Sequence, residues 1–379
     1  MTEFTRRSAL GLLGGLSLAG ASQPAFAQGV EGRKLIFVFL RGAMDGLSAV
    51  IPDDSSLASI RPNILPEFSA RHDLGNGFRL HPSLAGLKTL YDQKEAAFVH
   101  AAAPPYRNRS HFDAQDLFET MGRTDARDGW LNRVVQLTGG RGVAVGHSLP
   151  LAMQGAGDVF NWSPPVFGAA PEPILDRLAA LYEPDAQFSQ ALMTARSGMM
   201  SAAGMTGSAR RFGRNYSTVM KLTGQLMAQD GGPGIAMVSL NGWDSHAGQI
   251  RDLENRFNSF DQSIDVLRQT LGKQWKNTCV VLCSEFGRTV AENGTRGTDH
   301  GTGGLVMLLG GAVAGGKVHG DWPGVRSNDL FEGRDLAPAN QMTGILKGLL
   351  RDQLGIDRQQ LTQSVFPDQT RPMDGLISA

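Results

Sequence analysis

Five short apolar runs constrain the fold of this chain more than any other feature of its sequence. The first run, residues 34–40, is apolar without alternation, which is typical of a strand buried on both faces of a parallel sheet, and the other four are further strand candidates. Stretches with helical patterning lie between them, and this alternation predicts an α/β three-layer sandwich around a mostly parallel sheet. The predicted strands are residues 34–40, 96–101, 235–240, 278–283 and 305–309, and the predicted helices are 84–93, 113–122, 174–181, 186–229 (two helices), 249–271 and 338–354.

The stretch from residue 150 to about 232 departs from this alternation. Loop signals at 161–165 are followed by Met- and Ala-rich sequence with helical character. We predict that it forms a helical insertion covering one end of the sheet. No linker, internal repeat or low-complexity segment is visible, so we predict one α/β domain over residues 28–379.

The first 27 residues have the pattern of a signal peptide. The pair Arg6-Arg7 precedes a Gly- and Leu-rich apolar run, and Ala25 and Ala27 form a small-x-small cleavage site. A membrane anchor is the alternative, but the apolar run of about 13 residues is shorter than the roughly 20 needed to span a bilayer. We expect export by the twin-arginine translocase, a periplasmic or secreted mature protein beginning at Gln28, and no stable membrane span after cleavage.

The charge balance and the cysteines exclude other classes of protein. The chain has 36 basic and 36 acidic residues and no basic stripe, so we expect no nucleic-acid partner. Cys279 and Cys283 lie in one predicted strand, on the same face but too far apart for a normal disulfide. We interpret them as buried small hydrophobic residues.

Polar clusters hold most of the side chains suited to metal or ester chemistry, and three of them directly follow predicted strands. Loops at the carboxyl ends of parallel strands converge on one edge of the sheet, where ligands bind, so distant residues can meet there. Asp, His and Glu with a nearby hydroxyl are the groups that a divalent-metal hydrolase needs. The clusters are residues 42–46, 109–113, 242–246, 284–288 and 298–301.

Two of these clusters offer metal ligands after strands. Asp45 lies in a Gly-flanked turn, where its carboxylate either binds a metal or caps the next turn; together with the other clusters we favour the ligand. Asp244 and His246 have the i, i+2 spacing that puts both side chains on one side of an extended loop. They form a plausible clip for zinc or manganese, and a purely structural role fits this pair less well.

Two further pairs are candidates for the same site. Glu285 directly follows the fourth strand, with Arg288 three residues on; such a pair is commonly a structural ion pair, but its place at a strand end favours function. Asp299 and His300 lie between Gly-rich segments, which fits a loop shaped around a ligand and also a mobile surface loop. We predict His300 as a ligand or proton donor, and Asp299 as a ligand or a group that orients it.

Ser110 is the candidate nucleophile. It precedes a predicted helix, and Ser110-x-x-Asp113 fits a capping box. A capping role does not exclude chemistry, because the free N–H groups at a helix N-terminus bind anions such as phosphate. With Arg109 and His111 beside it, Ser110 could attack a phosphate or sulfate ester. The sequence has no serine-esterase elbow, phosphate-binding P-loop or zinc-peptidase helix motif.

In this order the clusters resemble those of a large family of exported bacterial proteins, the domain of unknown function 1501 family. That family looks like a branch of the alkaline phosphatase and sulfatase superfamily, and the resemblance implies the fold of that superfamily. This sequence departs from the superfamily at Glu285. The superfamily has an Asp-His pair at that strand end, and the missing His counts against a full two-zinc site. The formylglycine sulfatase signature is also absent. The matching stretches are residues 39–47, 109–115, 242–246, 284–289 and 297–303.

The resemblance implies a metal-ligating Asp at Asp45, a nucleophile at the helix start at Ser110, an Asp-plus-His clip at Asp244 and His246, and a final His at His300. We therefore expect an exported metal-dependent hydrolase acting on small-molecule or glycan esters of phosphate or sulfate. A divalent zinc, manganese or calcium ion would activate Ser110 or water. The alternative is a non-catalytic periplasmic binding or assembly protein that keeps the fold. The predicted metal ligands are Asp45, Asp244, His246, Glu285, Asp299 and His300, and the predicted catalytic residues are Ser110, Arg109, His111 and Arg288.

Overall fold

A nine-stranded sheet forms the centre of the fold in the computed structural model, which describes residues 32–107, 109–121, 126–164, 172–201 and 215–378. The predicted signal peptide, residues 1–27, lies outside the described residues. All five predicted strands are present, as β1, β5, β8, β9 and β10. In chain order the strands are β1 (Lys34–Arg41), β2 (Val50–Pro52), β3 (His72–Gly75), β4 (Phe78–Leu80), β5 (Ala96–Ala103), β6 (Gly142–Val145), β7 (Val159–Trp162), β8 (Ile235–Asn241), β9 (Thr278–Cys283), β10 (Gly304–Leu309), β11 (Lys317–His319) and β12 (Asn340–Gln341).

Helices cover both faces of this sheet and complete a three-layer sandwich. Along β1, Ile36 and Val38 face one apolar core and Phe37 and Phe39 face the other. Helices α3, α8 and α9 pack on the first core, and α4, α5 and α10 on the second. The helices are α1 (Gly46–Ala49), α2 (Ser55–Ile60), α3 (Ala85–Asp92), α4 (His111–Thr120), α5 (Trp130–Thr138), α6 (Glu172–Tyr182), α7 (Ala186–Ser201), α8 (Tyr216–Ala228), α9 (Gln249–Leu271), α10 (Met342–Leu354) and α11 (Arg358–Gln360).

The strand order brings the polar clusters to one edge of the sheet. The order is β11-β5-β10-β9-β1-β8-β6-β7, with β12 beside β5, and β2–β4 form a separate antiparallel sheet. Among the described strands of the large sheet, β10 alone runs antiparallel to its neighbours. Its first residue, Gly304, pairs with Ala102 near the end of β5. The loop before β10 therefore reaches the same edge as the loops after β1, β5, β8 and β9, and the predicted mostly parallel sheet is confirmed.

The stretch predicted as a helical insertion contains more than an insertion. Strand β7 is an edge strand of the central sheet, and α8 packs into one of the two cores. Helix α7 lies against β7, where a Cβ on Gly198 would come within 2.7 Å of the Phe160 ring. Residues 165–171 and 202–214 of the predicted insertion lie outside the described part of the chain. The division into one domain with an insert stays a prediction.

No helix in the described ranges combines the length and apolarity needed to cross a membrane. Cys279 and Cys283 are both buried and free, as predicted. Burial raises the pKa of both thiols, because the thiolate is poorly solvated in the apolar core.

His100 in β5 is buried as a neutral imidazole. Its Nε2 lies 2.8 Å from the Val50 carbonyl oxygen and donates to it, while Nδ1 accepts from the Ala101 N–H. Burial lowers the pKa of His100 to about 4, and the hydrogen bond to Val50 offsets this only in part. The unfolded chain takes up this proton near the ordinary pKa of about 6.5. Stability from His100 is therefore full above about pH 6.5 and is lost as the pH falls towards 4.

We predict that His100→Gln, which keeps a donor for Val50, flattens the acid side of the stability curve. The fall in free energy of unfolding between pH 7 and 4.5 should shrink by about 2 kcal/mol. Urea unfolding of metal-free protein at both pH values measures it. His147→Gln, at an exposed histidine, is the control. An unchanged pH dependence in His100→Gln would show that His100 is not held neutral.

Candidate metal centre

Three imidazole rings converge on the carboxylate of Asp244. His246 Nε2 and His300 Nε2 lie 3.0 and 3.3 Å from its Oδ1, and His111 Nε2 lies 3.5 Å from its Oδ2. These residues come from separate loops: His111 begins α4 after β5, Asp244 and His246 follow β8, and His300 precedes β10. The edge where these strands end thus gathers residues that are far apart in sequence.

The hydrogen bonds behind His111 and His300 fix the direction of each ring. His111 Nδ1 lies 2.7 Å from Oε1 of Glu285, and His300 Nδ1 lies 2.8 Å from the carbonyl oxygen of Arg109. Each Nδ1–H donates to its oxygen, so in the neutral ring each Nε2 carries the lone pair and faces Asp244. Proteins orient metal-binding histidines in this way, with a carboxylate or carbonyl behind the ring.

His246 is held in the same manner by an acidic side chain. Its Nδ1 lies 3.2 Å from Oδ1 of Asp299, which also accepts from Asn293 Nδ2 at 3.0 Å. Its Nε2 then faces His300 Nε2 at only 3.0 Å. Two unprotonated nitrogens at this distance repel each other, so the pair requires a shared proton or a bound cation.

The spacing of these atoms suits a metal ion. One ligand atom each from His111, Asp244 and His300 lie within 4.8 Å of one another, and His246 adds a nitrogen 3.0 Å from two of these residues. Ligands about 2 Å from a common zinc ion are separated by roughly 3 to 4 Å. Three imidazole nitrogens and one carboxylate are a donor set that zinc or manganese accepts, whereas calcium prefers oxygen ligands alone.

The charges of the centre favour ionised carboxylates. Burial raises the pKa of Asp244, but the positive charges of Arg288 and the three histidines outweigh it, and the pKa is lowered overall. Burial lowers the pKa of His300. The hydrogen bond to Glu285 raises the pKa of His111, so a proton competes with a metal at this ring. Metal affinity should therefore weaken as the pH falls.

Arg288 supplies a buried positive charge beside this group. The residue is 2% exposed, and its Nη1 lies 3.0 Å from Oδ1 of Asp244. Its N–H groups are not aligned with that oxygen, and among the described residues none of its three nitrogens has a hydrogen-bond partner. A buried guanidinium whose N–H groups make no hydrogen bond is costly even beside a carboxylate, and its planar fork matches the oxygens of a phosphate or sulfate.

Ser110 lies at the N-cap of α4, immediately before His111. Its hydroxyl makes no capping hydrogen bond, so the predicted capping box with Asp113 is wrong. The backbone carbonyl of Arg109, in the peptide bond to Ser110, accepts a hydrogen bond from His300 Nδ1. The Ser110 hydroxyl is therefore not engaged in a cap, and it belongs to a segment bound directly to the centre.

The chain belongs to the family described as Protein of unknown function (DUF1501). The family model matches residues 81–371, which include every residue of the centre. Strand β1 and Asp45 precede the matched region. The resemblance seen in the sequence is thus confirmed at the level of the family.

Comparison with curated proteins finds no match. Solved structures similar to this chain include the C-terminal periplasmic domain of EcEptC from Escherichia coli, with 11% identity, 91% of each chain covered and a TM-score of 0.41. The lipoteichoic acid synthase LtaP from Listeria monocytogenes has 11% identity and a TM-score of 0.40, over 89% of this chain and 75% of that one. The alkaline phosphatase from the Antarctic bacterium TAB5 has 14% identity and a TM-score of 0.36, over 73% of this chain and 91% of that one. Likeness at this level says nothing about activity.

Asp45 lies outside the histidine cluster of this DUF1501 protein. Its carboxylate is 1% exposed and pairs with Arg61 Nη1 at 2.7 Å. It also accepts from Ser48 Oγ at 2.8 Å, Gln249 Nε2 at 2.6 Å and the Leu47 N–H at 3.2 Å. The structure shows the capping role that was the alternative to metal binding. A metal could bind Asp45 only if this buried ion pair broke.

Glu285 and Asp299, predicted as ligands, lie behind histidines. Oε1 of Glu285 accepts from His111, from Gln115 Nε2 at 2.8 Å and from the Gly42 N–H at 2.9 Å. In the same way, Oδ1 of Asp299 lies behind the ring of His246, on its Nδ1 side. Ligation by these two carboxylates stays a prediction, and the geometry assigns them to orienting the rings. His111, which we placed among the catalytic groups, lies where a ligand would.

Arg109 is the remaining predicted catalytic residue. Its Nε lies 2.9 Å from Oδ2 of the buried Asp335, and its Nη2 lies 2.6 Å from Oε2 of Glu332. Its charge is therefore already balanced, and it fixes the segment whose carbonyl orients His300. The sequence offered no signal for Arg61 or Gln249, because each acts through a partner elsewhere in the chain, and Gln115 was marked only by its place in the stretch 109–115.

Close contact between loops explains two of the glycines. A Cβ at Gly301 would lie 2.4 Å from the carbonyl carbon of Arg288, and one at Gly42, where φ is +111°, would lie 2.7 Å from the Asp244 nitrogen. Only glycine allows these backbones to approach so closely. The Gly-rich sequence around His300 therefore reflects packing of the loops that build the centre.

We predict that Asp45→Asn lowers stability without removing the metal site, and that Asp244→Asn removes the metal site. Asp45→Asn leaves Arg61 buried without a carboxylate and should lower the free energy of unfolding by about 3–5 kcal/mol, while the folded fraction still binds metal. Asp244→Asn removes the carboxylate that lies 3.0 Å from the buried Arg288 and should abolish metal binding. Denaturant unfolding and elemental analysis of folded protein by mass spectrometry measure the two effects.

The double variant Asp45→Asn/Arg61→Met controls for outright unfolding of Asp45→Asn. It removes both charges of the pair and should recover part of the lost stability. Loss of metal from folded protein of the double variant would contradict the prediction that the centre binds metal without Asp45.

Proposed function

We propose that this protein is an exported, metal-dependent hydrolase of phosphate or sulfate esters. One observation carries the proposal: three potential metal ligands, with His246 next to them, converge beside Arg288, a buried guanidinium that lies 3.0 Å from Asp244 but makes no hydrogen bond among the described residues. A cation site next to an oxyanion site is the arrangement that stabilises charge developing on an ester. Export by the twin-arginine route rests on the N-terminal sequence pattern, with its Arg6-Arg7 pair.

His111, Asp244 and His300 would hold the metal, with His246 as a fourth ligand. When bound, a divalent ion supplies Lewis acidity to the ester oxygens and lowers the pKa of water. Glu285 and Asp299 keep the rings of His111 and His246 aimed at it. The donor set favours zinc or manganese over calcium among the ions we considered.

Arg288 and Ser110 would act on the ester itself. The guanidinium of Arg288 donates to the non-bridging oxygens, and its buried position strengthens these hydrogen bonds. The Ser110 oxygen attacks phosphorus or sulfur, and the bond from that atom to the ester oxygen breaks. The proton of the Ser110 hydroxyl passes to the leaving oxygen, which departs as the alcohol. Water then hydrolyses the phosphorylated or sulfated serine. Direct attack by water is the alternative, and it would leave Ser110→Ala active.

We predict that His111→Ala and Arg288→Gln separate metal binding from catalysis. His111→Ala should lose both metal and ester hydrolysis. Arg288→Gln should keep the metal but lower kcat by about 10²–10³, because a donor to the charged oxygens is lost. Arg288→Lys should recover part of this activity, since it restores the charge without the fork. Metal content and turnover of aryl phosphates and aryl sulfates are the measurements.

The pH dependence of metal binding provides a second readout. Because the pKa of His111 is raised, protons should displace the metal as the pH falls, and chelator competition should show weaker affinity at pH 5.5 than at pH 8. Ester hydrolysis that persists unchanged after complete removal of metal would overturn the proposal.

The alternative function, a non-catalytic binding or assembly protein, is favoured by one observation. Helices α6 and α7 expose several large apolar side chains, which is typical of surfaces that contact partners. Metal-loaded protein that turns over no ester but binds another macromolecule through these helices would support it. The exposed side chains are Ile174, Leu181, Phe188, Met193, Met199 and Met200.

A further inference from the structure

A cavity separate from the metal centre opens at the same edge of the sheet. It has a volume of about 430 Å³, a size typical of sites for small organic ligands. The ends of β1, β6 and β8 form its floor, the loop after β6 forms one wall, and α8 closes it with Val219.

This cavity shares a wall with the metal centre. Arg41, which lines it, is followed by Gly42, whose N–H donates to Glu285 at 2.9 Å. The Gly42 backbone also touches the backbone of Asp244. Asn241, another lining residue, is three residues before Asp244 in the same loop. The cavity and the centre are therefore neighbours at this edge of the sheet.

Hydrogen bonds connect the cavity wall to one of the metal ligands. Arg41 Nη1 donates to Gln115 Oε1 at 2.6 Å, and Gln115 Nε2 donates to Glu285 Oε1 at 2.8 Å. Glu285 in turn orients His111. The two sites are thus built on one network.

Apart from Arg41 and His147, the lining combines uncharged polar groups with apolar surface. Ser148, Ser239 and Asn241 offer hydroxyl and amide groups, and Val145 and Met237 add apolar contacts. This mixture suits a ligand that is neutral, carries several hydroxyl groups and has an apolar face.

The charge of Arg41 does not make the cavity an anion site. Its Nη2 pairs with the buried carboxylate of Glu119, and its Nε donates to Ser239 Oγ at 3.2 Å. The guanidinium is therefore both charge-balanced and hydrogen-bonded by the protein, whereas that of Arg288 makes no hydrogen bond among the described residues.

We propose that this cavity binds a sugar ring, the alcohol portion of a sugar phosphate or sugar sulfate ester. The anionic group would lie on Arg288 and the metal, and the ring would lie between α8 and the ends of β1 and β8. This inference rests on the proposed function for the position of the ester, but binding of the ring itself needs no turnover.

The test measures binding of methyl glycosides of glucose, galactose, mannose and N-acetylglucosamine to the folded mature protein, by calorimetry and saturation-transfer NMR. At least one glycoside should bind. Asn241→Ala should weaken its binding about tenfold, the loss of one well-placed hydrogen bond. Ser148→Trp should abolish binding by filling the cavity. Asn328→Ala, an exposed asparagine outside the lining, is the matched control and should bind normally.

His111→Ala separates this inference from the proposed function. Without the metal centre this variant should still bind the glycoside. Hydrolysis of aryl esters by wild-type protein that binds no glycoside would overturn the sugar site and leave the hydrolase standing. Glycoside binding without hydrolysis of any sugar ester would support the sugar site and count against the hydrolase. Binding unaffected by both Asn241→Ala and Ser148→Trp, or preference for benzyl alcohol over every glycoside, would also overturn the sugar site.

Discussion

The buried ion pair between Arg61 and Asp45 is the interaction on which the arrangement of the centre depends. Besides Asp45, Arg61 donates to the carbonyl oxygens of Thr289 and Val290 at 2.7 and 2.6 Å, so it joins the turn after β1 to the segment that follows Arg288. Gln249 extends the network from Asp45 to the hydroxyl of Thr298, next to the loop that carries His300, and to that of Ser245 beside Asp244. Breaking a fully satisfied buried network leaves several groups unpaired at once, which is why its loss should affect all of these loops together.

Strand pairing is the part of the fold that the sequence could not determine. Apolar runs identified β1, β5, β8, β9 and β10, because strands buried on both faces carry apolar side chains at successive positions. An apolar pattern is the same for a parallel and an antiparallel strand, so nothing in residues 305–309 indicated that β10 is antiparallel. Strands β6 and β7 are four residues long and too short to show a pattern. Helix α8 was assigned to an insertion because its burial depends on contacts with α9, which is distant in sequence.

The composition of the centre could be predicted, but the roles within it could not. His, Asp and Glu residues at strand ends indicated a site, since the edge of a parallel sheet gathers them. A carboxylate that binds a metal and one that orients a histidine have the same local sequence, so Glu285 and Asp299 were grouped with Asp244. Asp45 was favoured as a ligand because its partner Arg61 lies 16 residues away with no pattern joining them. Only the folded chain shows which side chain each carboxylate contacts.

The charge of the centre gives the strongest physical reason to expect a divalent ion there. The pKa values of Asp244, Glu285 and Asp299 are all lowered, so three carboxylates are ionised around one guanidinium, that of Arg288. With neutral histidines the formal charge is −2 (−3 + 1), which a single divalent cation brings to zero. In the metal-free protein the hydrogen bond that His111 donates to Glu285 favours a proton on His111, and that proton supplies part of the missing charge. A neutral, metal-loaded centre can then accept an anionic ester on Arg288 without repelling it, whereas the metal-free centre would repel the same ester.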